Sequence, residues 1–350
     1  MRASRAQRRA GVMGAAVWLL LAAWPCTAAG AIGRATAAGG RCIKVAVEFK
    51  LPGQPASDAA LAGAKQVAAA YGICPPSFGA PPASAEATGQ VAAIKADVRA
   101  GDKVVLVSAD DPVLPGPALQ AAMKTGVKVI TFGADVPGAR DFFVQDTAYD
   151  ELAQAVVDAA VEEKGPRAKL GVMDMTPDAL PEVAWQSAMV SYAEASHITV
   201  ETLEWTPFAS PLTMAEDMVR AYPGVDAILA IDDPAVAGAA RAVTDLDKVG
   251  KIAVFGIGDP LPVRRYFANG SLRALFGWDE TGEGELLMCV AKLAYTDEIH
   301  PGSTFSCQHG PLGSWAVADK ASPATGATKG TVIFSAPLEF TPQNYRRYDF

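Results

Sequence analysis

One repeated unit constrains this chain more than anything else. A short run of apolar, largely β-branched residues ends in a charge, and an alanine-rich stretch of helical length follows. Ile43–Val47 leads to Lys50, Val104–Val107 to Asp110 and Asp111, and Val129–Phe132 to Asp135. Further on, Ala227–Ile231 leads to Asp232 and Asp233, Ile252–Ile257 to Asp259, and Leu272–Gly277 to Trp278, Asp279 and Glu280. Runs that are apolar at almost every position belong to strands covered on both faces, the situation of a parallel sheet between helices. The pattern predicts strands over 43–49, 72–79, 104–109, 128–133 and 141–145, then 169–175, 198–205, 227–232, 252–258 and 272–278. Helices are expected between them, as parallel strands need crossovers. Ten such strands and a late one near 331–334 exceed what one sheet usually holds. Lys164-Gly165-Pro166-Arg167 is the clearest break, and the stretches on either side of it read alike. The expectation is an α/β fold of two Rossmann-like, doubly wound lobes. Ligands of open α/β sheets sit outside the carboxyl ends of the strands, so charges repeated there predict a polar ligand site in the cleft.

The first forty residues stand apart from this pattern. Arg2, Arg5, Arg8 and Arg9 precede an apolar run, Gly11–Trp24, too short to span a bilayer comfortably, and small residues follow. Basic, apolar, small is the order of a secretory signal peptide, assigned here to residues 1–30. An uncleaved anchor, lipidation at Cys26 and twin-arginine export are alternatives with weaker support: residues 24–25 before Cys26 are not small, and Ala10-Gly11 lacks a bulky apolar residue. No acidic residue occurs before Glu48, so loss of the four arginines takes the net charge from −8 to about −12. An acidic exported chain suits neither nucleic acid nor anionic membrane. Beyond Cys26 four cysteines remain, an even number that suggests two disulfides in an oxidising compartment. Cys42 precedes the first strand and Cys74 falls where its βαβ partner strand is expected, so Cys42–Cys74 and Cys289–Cys307 is the preferred pairing. Buried free thiols are the alternative.

Catalytic signatures are missing. There is no G-x-S-x-G, no H-E-x-x-H and no phosphate-loop lysine motif. His197, His300 and His309 lack partners at metal-ligand spacing, and no C-x-x-C occurs. Gly256-Ile257-Gly258 is followed by Asp259, which repels a phosphate. Neither metal nor cofactor is expected. The strand-end carboxylates are acceptors suited to hydroxyls or a cationic group, and Trp278 adds an apolar face for a sugar ring. The competing reading is helix capping. It is favoured for Asp111 and Asp233, each before a proline, and balanced against a ligand role for Asp135 and Asp232. Lys50 is read as a cleft donor, Trp278 equally as ligand platform or packing residue.

A set of segments resembles a known family. Val45-Ala46-Val47-Glu48-Phe49-Lys50-Leu51-Pro52-Gly53, Thr131-Phe132-Gly133-Ala134-Asp135-Val136, Ala184-Trp185, Tyr222-Pro223-Gly224-Val225-Asp226-Ala227-Ile228, Gly277-Trp278-Asp279, and Phe340-Thr341-Pro342-Gln343-Asn344 with Tyr348-Asp349-Phe350 occur in that order. Together they resemble the type I periplasmic solute-binding proteins of sugar ABC importers, in the rhamnose and autoinducer-2 branch. The resemblance implies two lobes joined by three crossings that close on a ligand. It implies a first lobe of residues 41–146 plus 276–301, a second of 147–275 plus 302–335, and a docked tail over 336–350. It aims Lys50, Asp135 and Asp232 at the ligand, and with Asp110, Glu182, Trp185, Asp233, Asp259, Trp278 and Asp279 these complete the candidate ligand set. Pro181-Glu182 stands where autoinducer-2 binders carry an acid–amide pair, Gly133 where they carry another carboxylate, and Ile231 where they carry proline. A sugar or polyol is therefore expected, and autoinducer-2 is not. The implied partners are that solute and an inner-membrane ABC permease, with the protein monomeric, periplasmic and not an enzyme. A sensor that presents a bound solute to a membrane receptor is the alternative.

Overall fold

The structure is a computed structural model, described here for residues 42–50, 52–79, 86–173, 180–202 and 209–350. The expected signal peptide and Cys26 lie outside the described residues.

Two six-stranded sheets organise the fold. The first contains β1 (Val45–Glu48), β2 (Ser77–Gly79), β3 (Val104–Val107), β4 (Lys128–Phe132) and β5 (Phe142–Gln145) in the order 5-4-3-1-2, all parallel. The second repeats that order with β6 (Lys169–Met173), β7 (Thr199–Thr202), β8 (Ala227–Ala230), β9 (Ala253–Ile257) and β10 (Leu272–Gly277), arranged 10-9-8-6-7. A two-stranded ribbon of β11 (Thr304–Phe305) and β12 (Trp315–Ala316) follows. Then β13 (Thr331–Ile333) adds to β5 in parallel, and β14 (Leu338–Phe340) adds to β10 antiparallel. Residues 302–335 were expected in the second lobe. The structure corrects this for β13, which extends the first sheet, and for Cys307, bonded to a helix on that sheet.

Helices cover both faces, as the uninterrupted apolar runs require. Of the first sheet, Val45, Val47, Val104, Leu106, Ile130 and Val144 face α1 (Pro55–Ala68) and α9 (Glu280–Tyr295), while Val105, Val107 and Val129 face α2 (Glu86–Ala100) and α3 (Gly116–Lys124). Of the second, Leu229, Phe255, Ile257 and Phe276 pack with α4 (Tyr149–Lys164) and α5 (Leu180–Ala195). Its other face packs with α6 (Pro211–Ala221), α7 (Asp233–Asp245) and α8 (Pro260–Asn269). Glycines set the closest helix approach. A Cβ on Gly63 would meet the Thr281 carbonyl oxygen at 2.0 Å and one on Gly284 would meet that of Ala60 at 1.8 Å, so α1 and α9 touch backbone to backbone.

Disulfides join Cys42 to Cys74 and Cys289 to Cys307, with Cα–Cα distances of 5.0 and 5.8 Å. This is the pairing expected from the βαβ geometry. The long predicted strand over 72–79 is reduced to β2 and an isolated bridge between Ile43 and Ile73. The tail is docked: Phe340, Tyr348 and Phe350 form edge-to-face contacts, Leu261 N–H donates to the Phe350 carbonyl, and Arg264 pairs with Asp349. Among the described residues no helix is long and apolar enough to cross a membrane.

Candidate functional site

The chain passes between the two sheets three times: after β5, after β10 and between β13 and β14. Each passage leaves the carboxyl end of a strand of the parallel sheets. The crossings are tied to one another, since Phe334 N–H donates to the Gln145 carbonyl and Ser335 N–H to that of Asp146.

Beside these crossings lies a cavity of about 170 Å³. It is lined by Glu182 and Trp185 of α5, Ile231, Asp232 and Asp233 after β8, Ile257, Gly258 and Asp259 after β9, and Gly277, Trp278 and Glu280 after β10. Each residue arrives there for a local reason. Asp232 is the N-cap of α7, its Oδ1 accepting from Ala235 N–H at 2.6 Å. Asp233 was the expected cap. The structure assigns that role to Asp232 instead, because Pro234 is the second residue of the helix and Asp233 the first. The Asp233 carboxylate turns to the next strand and accepts from Asp259 N–H at 2.8 Å. Gly258 makes room for it: φ is +150°, and a Cβ there would lie 2.1 Å from Asp233 Oδ1. Trp185 and Trp278 face each other with ring centroids 6.1 Å apart, tilted by 54°.

Behind the cavity the carboxyl groups continue towards the first sheet. Asp146, just past β5, hydrogen-bonds to Glu283 on α9, which interacts in turn with Glu280. Two carboxyls in such contact must share a proton. Desolvation is the main influence on every member. It lifts Asp146 to about 7, helped by the charge of Glu182 and opposed by the Glu283 bond. It lifts Asp259 to about 7, with Asp233 adding repulsion, and Asp233 to about 6 despite the Asp259 backbone bond. Glu280 and Glu283 are pushed well above the ordinary carboxylate range by burial and by their acidic neighbours. Among the described residues no three such side chains are placed to hold a metal.

The other expected candidates are dispersed. Lys50 and Asp110 stand past β1 and β3 at the carboxyl edge of the first sheet and do not line this cavity. Asp110 N–H donates to Gln90 Oε1. Asp135 is engaged within its own lobe. Arg140 grips it through Nε at 2.8 Å and a terminal nitrogen at 3.0 Å, and Thr131 Oγ1 and Val136 N–H also donate to it. Asp111 was expected to cap a helix. It closes a turn instead, accepting from Val113 and Leu114 N–H, and α3 begins only at Gly116. Asp279 is exposed and lies along a separate surface groove with Arg347 and Phe350. Its neighbour Glu280 takes the buried place. Gly133, where a carboxylate was missing, adopts φ +60° and would place a Cβ 3.7 Å from Asp146 Oδ1. Glu280 was visible as a strand-end charge. Asp146 and Glu283 carried no sequence signal, since one follows a short strand and the other sits mid-turn in a helix.

A family model described as a periplasmic binding protein domain matches residues 45–297, well over half of the chain. The chain belongs to the periplasmic binding protein family. Solved structures agree with this periplasmic binding protein along almost their whole length. A sugar ABC transporter protein from Actinomyces odontolyticus is 25% identical, with a TM-score of 0.74 over 88% of this chain and 98% of that chain. A solute-binding protein from Clostridium phytofermentas is 22% identical, with a TM-score of 0.75 over 88% and 98%. A protein from Clostridium saccharobutylicum in complex with AI-2 is 21% identical, with a TM-score of 0.72 over 88% and 100%. The α/β architecture of two parallel-sheet lobes is thus that of this family, whose members bind solutes.

Proposed function

We propose that this periplasmic binding protein is the exported solute-capturing component of an ABC importer, delivering a sugar or polyol to an inner-membrane permease and catalysing no reaction. One observation carries the reading: a small cavity at strand ends beside three crossings, lined by two neighbouring tryptophans and five carboxyl side chains. A volume of about 170 Å³ is below the ~300–1,000 Å³ typical of sites for drug-sized ligands and suits a small solute. Aromatic faces take the C–H side of a sugar ring, and carboxylates accept from its hydroxyls. The lining comes mostly from the second lobe, with Glu280 on the helix of the first, so closure about the crossings would complete the enclosure. The fold neighbours support the class of ligand: the Clostridium phytofermentas protein was solved with L-rhamnose and one from Agrobacterium vitis with D-fucose. The disulfides suit an oxidising compartment.

Thermal denaturation in the presence of a library of sugars and polyols tests this. A true ligand at a hundred times its Kd adds about 2.7 kcal/mol, and Trp185→Ala removes most of that gain while the unliganded protein still melts cooperatively. A library that leaves the transition unmoved throughout would refute a sugar or polyol ligand.

A further inference from the structure

The charge balance of the cavity specifies the solute further, given that the cavity is the solute site. Glu182, Asp232, Asp233, Asp259 and Glu280 line it, and among the described residues no lysine, arginine or histidine does. Asp146 and Glu283 stand behind them and add to the same field. Of these, Asp233, Asp259 and Glu280 act on one another, and carboxyls crowded together out of water repel and are costly to keep ionised. Among the described residues they do not form a metal-ligand set, so the charge of these three fits an extended organic cation.

A second, independent observation concerns Trp185. It is only 7% exposed, it lines the cavity, and its indole Nε1–H has no hydrogen-bond partner among the described residues. An indole nitrogen is a donor only. Left orphaned in a site rich in acceptors, it asks for an oxygen brought by the ligand. With Trp278 it also presents π faces, which attract cations.

We propose that the solute is a small hydroxylated amine, an amino sugar or amino polyol. Its ammonium lies among Asp233, Asp259 and Glu280 and against the tryptophan pair, and one of its hydroxyls accepts from Trp185 Nε1. The carboxyl pKa values, raised by burial first and by acidic neighbours second, agree with this, since a bound cation offsets both.

Calorimetric titration with matched probes tests the proposal: D-glucosamine against D-glucose and N-acetyl-D-glucosamine, D-galactosamine against D-galactose, and putrescine as an amine without hydroxyls. At least one amine is expected to bind ten-fold or more tighter than its neutral twins. Asp259→Asn is expected to erase most of that preference, bringing the affinities for the amine and its neutral twin to within about two-fold of each other. Trp185→Phe keeps the aromatic face and should weaken the amino sugar and spare putrescine. Neutral twins binding as tightly as the amines overturn the charge inference and leave sugar capture standing. Putrescine binding with no sugar or amino sugar bound overturns the hydroxylated ligand and the sugar reading together. Silence from every probe counts against both. The comparison on the unaltered protein decides the matter even where a variant folds poorly.

Discussion

Glu48 is a charged residue with no exposed surface, at the carboxyl end of β1 between β3 and the edge strand β2. It faces Asp97 on α2, and burial followed by the Asp97 contact raises its carboxyl to about 8. The folded chain therefore holds a proton that the unfolded chain releases above about pH 4.5. Between those values unfolding releases a proton, so this residue makes stability fall as pH rises from about 4.5 through about 8. Glu48→Gln keeps the shape and a donor for Asp97 and removes the charge. The variant is expected to gain on the order of 2–4 kcal/mol at pH 8 relative to pH 5 when urea unfolding is compared with the parent. Equal differences at the two pH values would show that Glu48 titrates normally. Single residues were also where the sequence spoke least clearly. Asp232, Asp233, Asp259 and Trp278 could be placed because each directly ends a strand. Asp135 could be placed equally well, yet its role was hidden: Arg140, five residues on, consumes both its oxygens, and no periodic pattern reports such a pairing.

Among the elements, α1 and α9 make the tightest pairing, and two glycines allow it. Gly284→Ala must push α9 away from the Ala60 carbonyl or distort the turn. The expected cost is about 1–3 kcal/mol, as for other overpacked cores, read as a lower denaturation midpoint with an unchanged slope. Gly302→Ala makes a poor control because its φ is positive, whereas Gly116→Ala, with only ordinary contacts at 3.8 and 3.9 Å, should leave stability nearly unchanged. If the two alanine variants behave alike, the close approach is not what holds these helices. The long elements were legible because burial on both faces leaves an uninterrupted apolar run. The short ones were not. β11, β12 and β14 have two or three residues each, which leaves no local periodicity to read, and β14 is held by a strand far back along the chain. β13 was seen as a strand but given to the wrong lobe, because sequence order favours the second sheet while β5 offers the open edge.

At the scale of the whole molecule, the carboxyl groups form a line from the first lobe to the second: Asp146, Glu283, Glu280, Asp259, Asp233. Asp146 and Asp259 are held near 7 and Asp233 near 6, all above their ordinary value, chiefly by desolvation. As with Glu48, the folded state keeps protons the unfolded state loses, so this line lowers stability as pH climbs from about 4 to about 7. Measured in a Glu48→Gln background, the midpoint of urea unfolding without ligand should still fall across that window. A midpoint that rises with pH there would mean the line is ionised and compensated by some other charge.

The two sheets also share a dependence on the end of the chain. The first lacks an edge until 331–333 arrive, and the second until 338–340 arrive, after which Phe350 closes the last contacts. Neither lobe is contiguous in sequence. During synthesis, then, the amino-terminal three hundred residues form nothing final, and completion waits for the closing segment. For the export proposed above, a channel that accepts only unfolded polypeptide gains time from such an arrangement. A chain truncated by a few tens of residues would fail in both lobes at once.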